Sequence, residues 1–70
     1  MTEIATLERL LTIDEAAAYL GTVPRFLRRL VAERRIRFVR VGKYIRFPES
    51  ALAEFVAAGT VAPVIRGWAA

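Results

Sequence analysis

The positive charge of this chain is concentrated in one segment, which limits how that segment can fold. Nine of the eleven lysines and arginines lie between Arg25 and Arg46, with Glu33 as the only acid among them, so the segment carries about +8. Two arginines and six acids elsewhere give the remainder about −4. Because charged side chains are almost never fully buried, the segment must keep its basic residues outside. One side of a small domain is therefore prepared to meet a polyanion.

Length and composition exclude several classes of protein. Seventy residues make one domain at most. The chain contains neither cysteine nor histidine. It therefore cannot form disulfides or cysteine zinc sites, and it lacks the residues of the usual nucleophile–base pairs. We therefore expect no enzyme activity, no metal site and no cofactor.

The amount of apolar residues indicates a folded chain, and their distribution argues against a membrane span. A hydrophobic content of 56% argues against disorder. The longest apolar runs are a few residues, far below the ~20 that span a bilayer. The N-terminus opens with Glu3 and lacks a basic region followed by an apolar core. We expect no membrane partner and a cytoplasmic location.

Two helices are predicted in the first half of the chain. Thr12 and Glu15 have the spacing of a capping box, and the helix that they begin runs to Leu20 and ends at Gly21. After a tight connection, Pro24 suits the first position of a second helix. Its two sides differ: Phe26, Leu27, Leu30 and Val31 fall on one, and Arg25, Arg28, Arg29 and Ala32 on the other.

A hairpin and a third helix follow. Residues 37–47 alternate in polarity around Gly42-Lys43, which predicts a β-hairpin. In this hairpin we expect four apolar residues inward and Arg40 and Arg46 outward, the inward set being Val39, Val41, Ile45 and Phe47. A third helix spans about 49–58, with a buried stripe of Ala51, Leu52, Phe55 and Val56. The predicted organisation is a lead-in over 1–10, a domain over 11–58 and an apolar tail over 59–70.

The order of these elements predicts a mainly α fold with a small β-hairpin, the winged helix-turn-helix. A second helix with a basic face is narrow enough for the major groove of DNA, where its N-terminal residues reach base edges. A hairpin with Lys43 at its tip would reach phosphates or the minor groove beside it. Double-stranded DNA is therefore the expected partner.

The chain also resembles a known family. The run Leu11–Gly21, LTIDEAAAYLG, resembles the first helix of excisionase-type, MerR-like DNA-binding domains. Pro24–Val31 resembles their recognition helix, and Arg37–Pro48 resembles their wing. Two positions depart from the pattern. Val23 stands where the family usually has a serine or threonine cap, for which Thr22 could substitute. Arg34 stands where the family often has a glycine, so either Arg34 is left-handed or the helix runs longer.

Helix position, wing position and resemblance together give a set of expected DNA-binding residues. These residues are Thr22, Pro24, Arg25, Arg28, Arg29, Lys43 and Arg46. Three further arginines, Arg34, Arg35 and Arg37, could contact DNA or pair with Glu33 or another acid. The aromatic residues, among them Tyr44, are expected to pack in the core or hairpin. Trp68 is either docked on its own core or held for a partner.

The resemblance implies a phage recombination directionality factor in a bacterial host cell. An excisionase would bind tandem sites cooperatively, bend DNA and promote excision by a tyrosine or serine integrase. Copies would contact each other head-to-tail on DNA through acids outside the basic segment and through the tail, the acids being Glu3, Glu8, Glu49 and Glu54. An AlpA-like transcriptional regulator would use the same residues on a promoter, and a protein-interaction module is the third alternative.

Overall fold

The computed structural model of the protein describes residues 7–64 and contains three helices and three strands there. In chain order these are β1 (Leu10–Leu11), α1 (Ile13–Leu20), α2 (Pro24–Ala32), β2 (Val39–Val41), β3 (Tyr44–Pro48) and α3 (Glu49–Gly59). The strands form one antiparallel sheet in the order β1-β3-β2. Helices plus a small sheet in this order make a winged helix-turn-helix, which confirms the predicted fold class.

Helix α1 begins at the predicted capping box. The backbone N–H of Glu15 donates to Thr12 Oγ1 at 3.1 Å, and the N–H of Thr12 donates to Glu15 Oε1 at 2.9 Å. The bond from the Thr12 backbone is the main reason that the pKa of Glu15 is lowered, and the charge of Arg9 adds to it. Arg9 also pairs with Glu15 at 3.2 Å. The helix start is thus fixed by residues within one turn of it.

The same backbone motif ends both α1 and α2, with different residues at its left-handed position. After α1, the N–H of Thr22 donates to the carbonyl five residues back at 2.8 Å, and Gly21 has φ 70°. After α2, the N–H of Arg35 makes the equivalent bond at 2.8 Å, and Arg34 has φ 54°. Of the two alternatives for Arg34, the structure shows the left-handed one, and α2 ends at Ala32. Arg34 thus occupies a backbone position that glycine adopts with less strain.

The core lies between the helices and the face of β3 that carries Phe47. Leu27 and Leu30 of α2 and Phe47 of β3 are completely buried. The buried apolar residues are Leu11, Ala16, Ala17, Leu27, Leu30, Ile36, Phe47, Ala51 and Leu52. The predicted stripe of α3 is only half right: Phe55 is partly buried, but Val56 is 47% exposed.

Residues before α1 form a strand that the sequence did not predict. Leu10 and Leu11 pair antiparallel with Pro48 and Phe47 of β3. Leu11 is buried, whereas Leu7 is 93% exposed. A two-residue strand is too short to show an alternating pattern, so only the partner strand reveals it.

The hairpin has a different arrangement of faces from the one predicted. Val39 lies opposite Arg46, and Arg40 lies opposite Ile45. Because directly opposed residues project from the same side of a sheet, Arg46 shares the face of Val39, and Arg40 shares the face of Ile45. The prediction of four apolar residues inward and both arginines outward is therefore wrong.

The physical reason is the length of the turn. Gly42 and Lys43 are the only residues between the strands, and Gly42 takes φ 62° as the first turn position. A two-residue turn pairs each odd-numbered residue of β2 with an even-numbered residue of β3. Val41 consequently faces the same way as Tyr44, and both are exposed at the tip.

The left-handed conformation of Arg34 leads to a prediction about stability. Replacing Arg34 with glycine should increase the free energy of unfolding by about 0.5–1 kcal/mol, because the αL strain of an L-residue is roughly 1–2 kcal/mol and glycine's extra chain entropy offsets part of it. Thermal or urea unfolding measures this. Arg34→Ala is the matched control, since it removes the charge and keeps Cβ. Equal stability of the two variants would show that residue 34 is not strained.

Candidate nucleic-acid interface

The outward face of α2 is basic over the first two turns of the helix. Arg25, Arg28 and Arg29 are exposed there, while Leu27 and Leu30 hold the opposite side in the core. The helix begins at Pro24, after a residue that offers no side-chain acceptor to its first N–H groups. That residue, Val23, is the predicted departure from the family pattern. An uncapped helix start next to three arginines is suited to negative charge.

Two depressions flank α2 and divide the predicted site residues between them. The turn cleft lies at the connection to α1 and contains Arg25 and Arg29; its lining is Thr22, Val23, Arg25, Phe26 and Arg29. The wing cleft lies between α2, the start of α1 and the hairpin. It is lined by Thr12, Ile13, Asp14, Arg28, Lys43, Tyr44, Ile45 and Arg46.

The wing cleft brings together cations that are distant in sequence. Arg28 comes from α2, Lys43 from the hairpin turn and Arg46 from β3. Among the described residues none of the three forms an ion pair. Six of the seven predicted residues therefore line one cleft or the other, and the seventh, Pro24, starts the helix between them.

Several other arginines of the basic segment are paired with acids. Arg35 pairs with Glu33 at 3.2 Å, and Arg29 approaches the same carboxylate at 3.8 Å. Arg37 makes two bonds to Glu54, at 2.9 and 3.1 Å, and these bonds are the main cause of its raised pKa. Of the alternatives left open for Arg35 and Arg37, the structure shows pairing.

A polar network connects the lead-in and the segment between α2 and β2 to the start of α3. Glu8 accepts from the backbone N–H of Ser50 at 2.8 Å and from its hydroxyl at 2.9 Å. Arg37 donates to the same hydroxyl at 2.8 Å. The Ser50 backbone bond is the largest cause of the lowered pKa of Glu8. Because Pro48 provides no side-chain cap, Glu8 supplies from 42 residues away the acceptor that α3 lacks.

The wing cleft also contains residues outside the predicted set, among them the acid Asp14 and the aromatic Tyr44. Tyr44 was expected to pack, but it is 54% exposed and lies on the face of Arg46. The ring of Tyr44 lies 5.2 Å from the Arg46 guanidinium carbon and 5.7 Å from Lys43 Nζ. The two-residue turn was the available signal, because it places Tyr44 opposite Val41 at the hairpin tip.

This geometry agrees with a comparison of the sequence with known families. Residues 10–60 match the sequence model of a family described as helix-turn-helix domain. The chain belongs to this helix-turn-helix family. The family binds DNA, includes excisionase-like proteins and typically has no enzyme activity. No curated protein and no solved structure matches the chain.

Membership of the family supports DNA binding by this domain. Within residues 7–64, no group of acidic side chains is arranged to hold a metal ion. No helix in that part of the chain is long and apolar enough to cross a membrane.

The carboxylates at the starts of α1 and α3 predict how stability depends on pH. The pKa values of Glu8 and Glu15 are lowered from 4.5 in the fold. Their contribution to stability is therefore complete above pH 4.5, and it is lost as pH falls through the folded pKa values. Unfolding by urea between pH 3 and 7 should show this loss.

Glu8→Gln should reduce the pH dependence of the free energy of unfolding, because it removes one of the two carboxylates whose lowered pKa values cause that dependence. Glu49→Gln is the control, since among the described residues the Glu49 side chain makes no hydrogen bond or ion pair. A Glu8→Gln protein with the full acid-dependent loss of the wild type would contradict the role given to this network.

Proposed function

We propose that α2 reads the major groove of DNA while the hairpin contacts the neighbouring phosphates or minor groove. The width of an α-helix, about 10–12 Å, fits the ~12 Å major groove. The observation that carries the proposal is the wing cleft, which Arg28 of α2 lines together with Lys43 and Arg46 of the hairpin, so that three cations outnumber its one acid, Asp14. One strand of a duplex lying along this cleft would meet cations from both elements.

The assignment of contacts follows from where each residue lies. Arg25, Arg28 and Arg29 project from the first two turns of α2, the part of a recognition helix that reaches base edges. Thr22 and Pro24, at the helix start, would contact the backbone beside them. Lys43 and Arg46 would contact phosphates from the hairpin.

We further propose that the biological role is that of an excisionase. The support is the resemblance of residues 11–58 to excisionase-type domains and the family match over 10–60. Contacts from a helix and a wing on one side of a duplex favour bending, with a deformation cost of order 1–6 kcal/mol offset by the contacts. A small AlpA-like regulator would use the same surface on a promoter.

Cooperative binding of neighbouring copies belongs to this proposal. Val61 and Val64 of the tail are exposed and could contact an adjacent copy, whereas Ile65 and Trp68 lie outside the described residues. Glu3 lies outside them too. Glu8 and Glu54 are engaged within the chain, so Glu49 is the acid better placed for a head-to-tail contact.

Two substitutions separate reading of bases from contact with the backbone. Arg28→Ala should weaken binding to the specific site by about 1–3 kcal/mol and bring it closer to binding of random DNA. Lys43→Ala should weaken both alike and reduce the log–log salt slope by about 0.9, because one phosphate contact is lost. Titration of specific and random duplexes at several salt concentrations measures both effects. A change in sequence preference alone in Lys43→Ala would contradict the wing assignment.

A recombination assay tests the excisionase role. A plasmid that carries the attachment sites of the element encoding this chain is incubated with the integrase of that element, with and without the protein. We expect the protein to increase excision and to bend the attachment-site DNA in a gel-mobility assay. Arg28→Ala should lose both effects. Unchanged excision, together with altered transcription from a promoter that the protein binds, would favour the regulator instead.

A further inference from the structure

Tyr44 occupies a position that packing alone does not explain. Its side chain is 54% exposed, and its cross-strand partner Val41 is 46% exposed at the tip of the hairpin. The core face of the same strand is held by Ile45 and Phe47. Loss of the Tyr44 ring would therefore leave the core intact, so its role has to be sought on the surface of the wing cleft.

The ring of Tyr44 is in contact with both cations of the wing. The Arg46 guanidinium carbon lies 5.2 Å from the ring centroid, and Lys43 Nζ lies 5.7 Å from it. Both distances are within the ~6 Å over which a ring attracts a cation. Arg46 has a second restraint, because its Nη1 donates to the carbonyl of Ile45 at 2.9 Å.

These restraints matter because long basic side chains are otherwise free to move. Ordering a lysine or arginine side chain when DNA binds lowers affinity, and a side chain already held in place avoids much of that loss. Arg46 is half-buried and held at two points, whereas Arg28, which lines the same cleft from α2, is exposed. The hairpin thus offers a pre-arranged pair of cations.

We propose that Tyr44 is a positioning residue for DNA binding, which holds Arg46 and Lys43 in the wing cleft before DNA arrives. This inference rests on the proposed function of the cleft. Tyr44 acts through the two cations and by its ring face, so its hydroxyl is not required. A direct bond from the hydroxyl to a phosphate is the competing role, and the experiment below separates the two.

The test is a double-mutant cycle measured by titration of a duplex that contains the specific site. Tyr44→Phe keeps the ring and removes the hydroxyl, Tyr44→Leu removes the ring, and Arg46→Met removes the cation but keeps most of the side-chain length. The fourth protein combines Tyr44→Leu with Arg46→Met. Thermal unfolding of every variant is measured alongside, together with the salt slope of binding.

We expect Tyr44→Phe to bind within about twofold of the wild type, and Tyr44→Leu to bind about three- to tenfold more weakly, from the loss of two exposed cation–ring contacts. In the Arg46→Met background the effect of Tyr44→Leu should shrink, because only Lys43 remains to be positioned. The salt slope of the single variant Tyr44→Leu should stay at the wild-type value, since that substitution removes no charge. The midpoint of thermal unfolding of Tyr44→Leu should stay close to that of the wild type. If Tyr44 had a purely structural role, this substitution would lower the midpoint.

Three results would overturn the inference. Wild-type affinity in Tyr44→Leu would show that the ring positions nothing, and independent, multiplicative losses in the double mutant would show that it does not act through Arg46. Equal losses in Tyr44→Phe and Tyr44→Leu would assign the effect to the hydroxyl. If Tyr44→Leu does not fold, Tyr44→Thr takes its place in the cycle. Failure of Arg28→Ala and Arg46→Met to weaken binding would instead contradict the proposed function itself.

Discussion

The burial of Leu27 and Leu30 is the interaction on which the interface depends. Both side chains are completely removed from solvent, and each contributes about 1.5–3 kcal/mol of apolar burial. They fix the rotation of α2 about its own axis, and that rotation alone decides which residues face outward. The three arginines are therefore displayed by the core. A change of rotation by one residue, about 100°, would bury one basic residue and expose a leucine.

The helices could be predicted from sequence because their signals are local. The capping box of Thr12 and Glu15, the stop at Gly21 and the start at Pro24 each involve residues within a turn of one another. The apolar period of α2 likewise assigns its buried face without knowledge of any other element. As a result, the predicted site residues on α2 lie where the sequence placed them.

The rest of the structure depends on residues far apart in sequence. Strand β1 exists only because β3 pairs with it, and the bond from Ser50 to Glu8 spans 42 residues. The faces of the hairpin were predicted wrongly for a different reason. The turn was placed at Gly42-Lys43, but the alternation was continued across it without the register that a two-residue turn imposes. That register puts Tyr44 and Arg46 on the same face of the hairpin as Val39 and Val41, which composition and period do not show.

Ion pairs within the fold also change how the net charge of the basic segment, about +8 over residues 25–46, should be interpreted. Glu33, the one acid inside the basic segment, engages Arg35 and approaches Arg29, and Glu54 engages Arg37. The cations without an ion pair among the described residues of the segment are Arg25, Arg28, Arg34, Arg40, Lys43 and Arg46. Four of these line the two clefts beside α2. The polyanion-binding surface is thus smaller and better defined than a net charge of about +8 suggests, because acids pair mainly with the arginines that α2 and the hairpin do not carry.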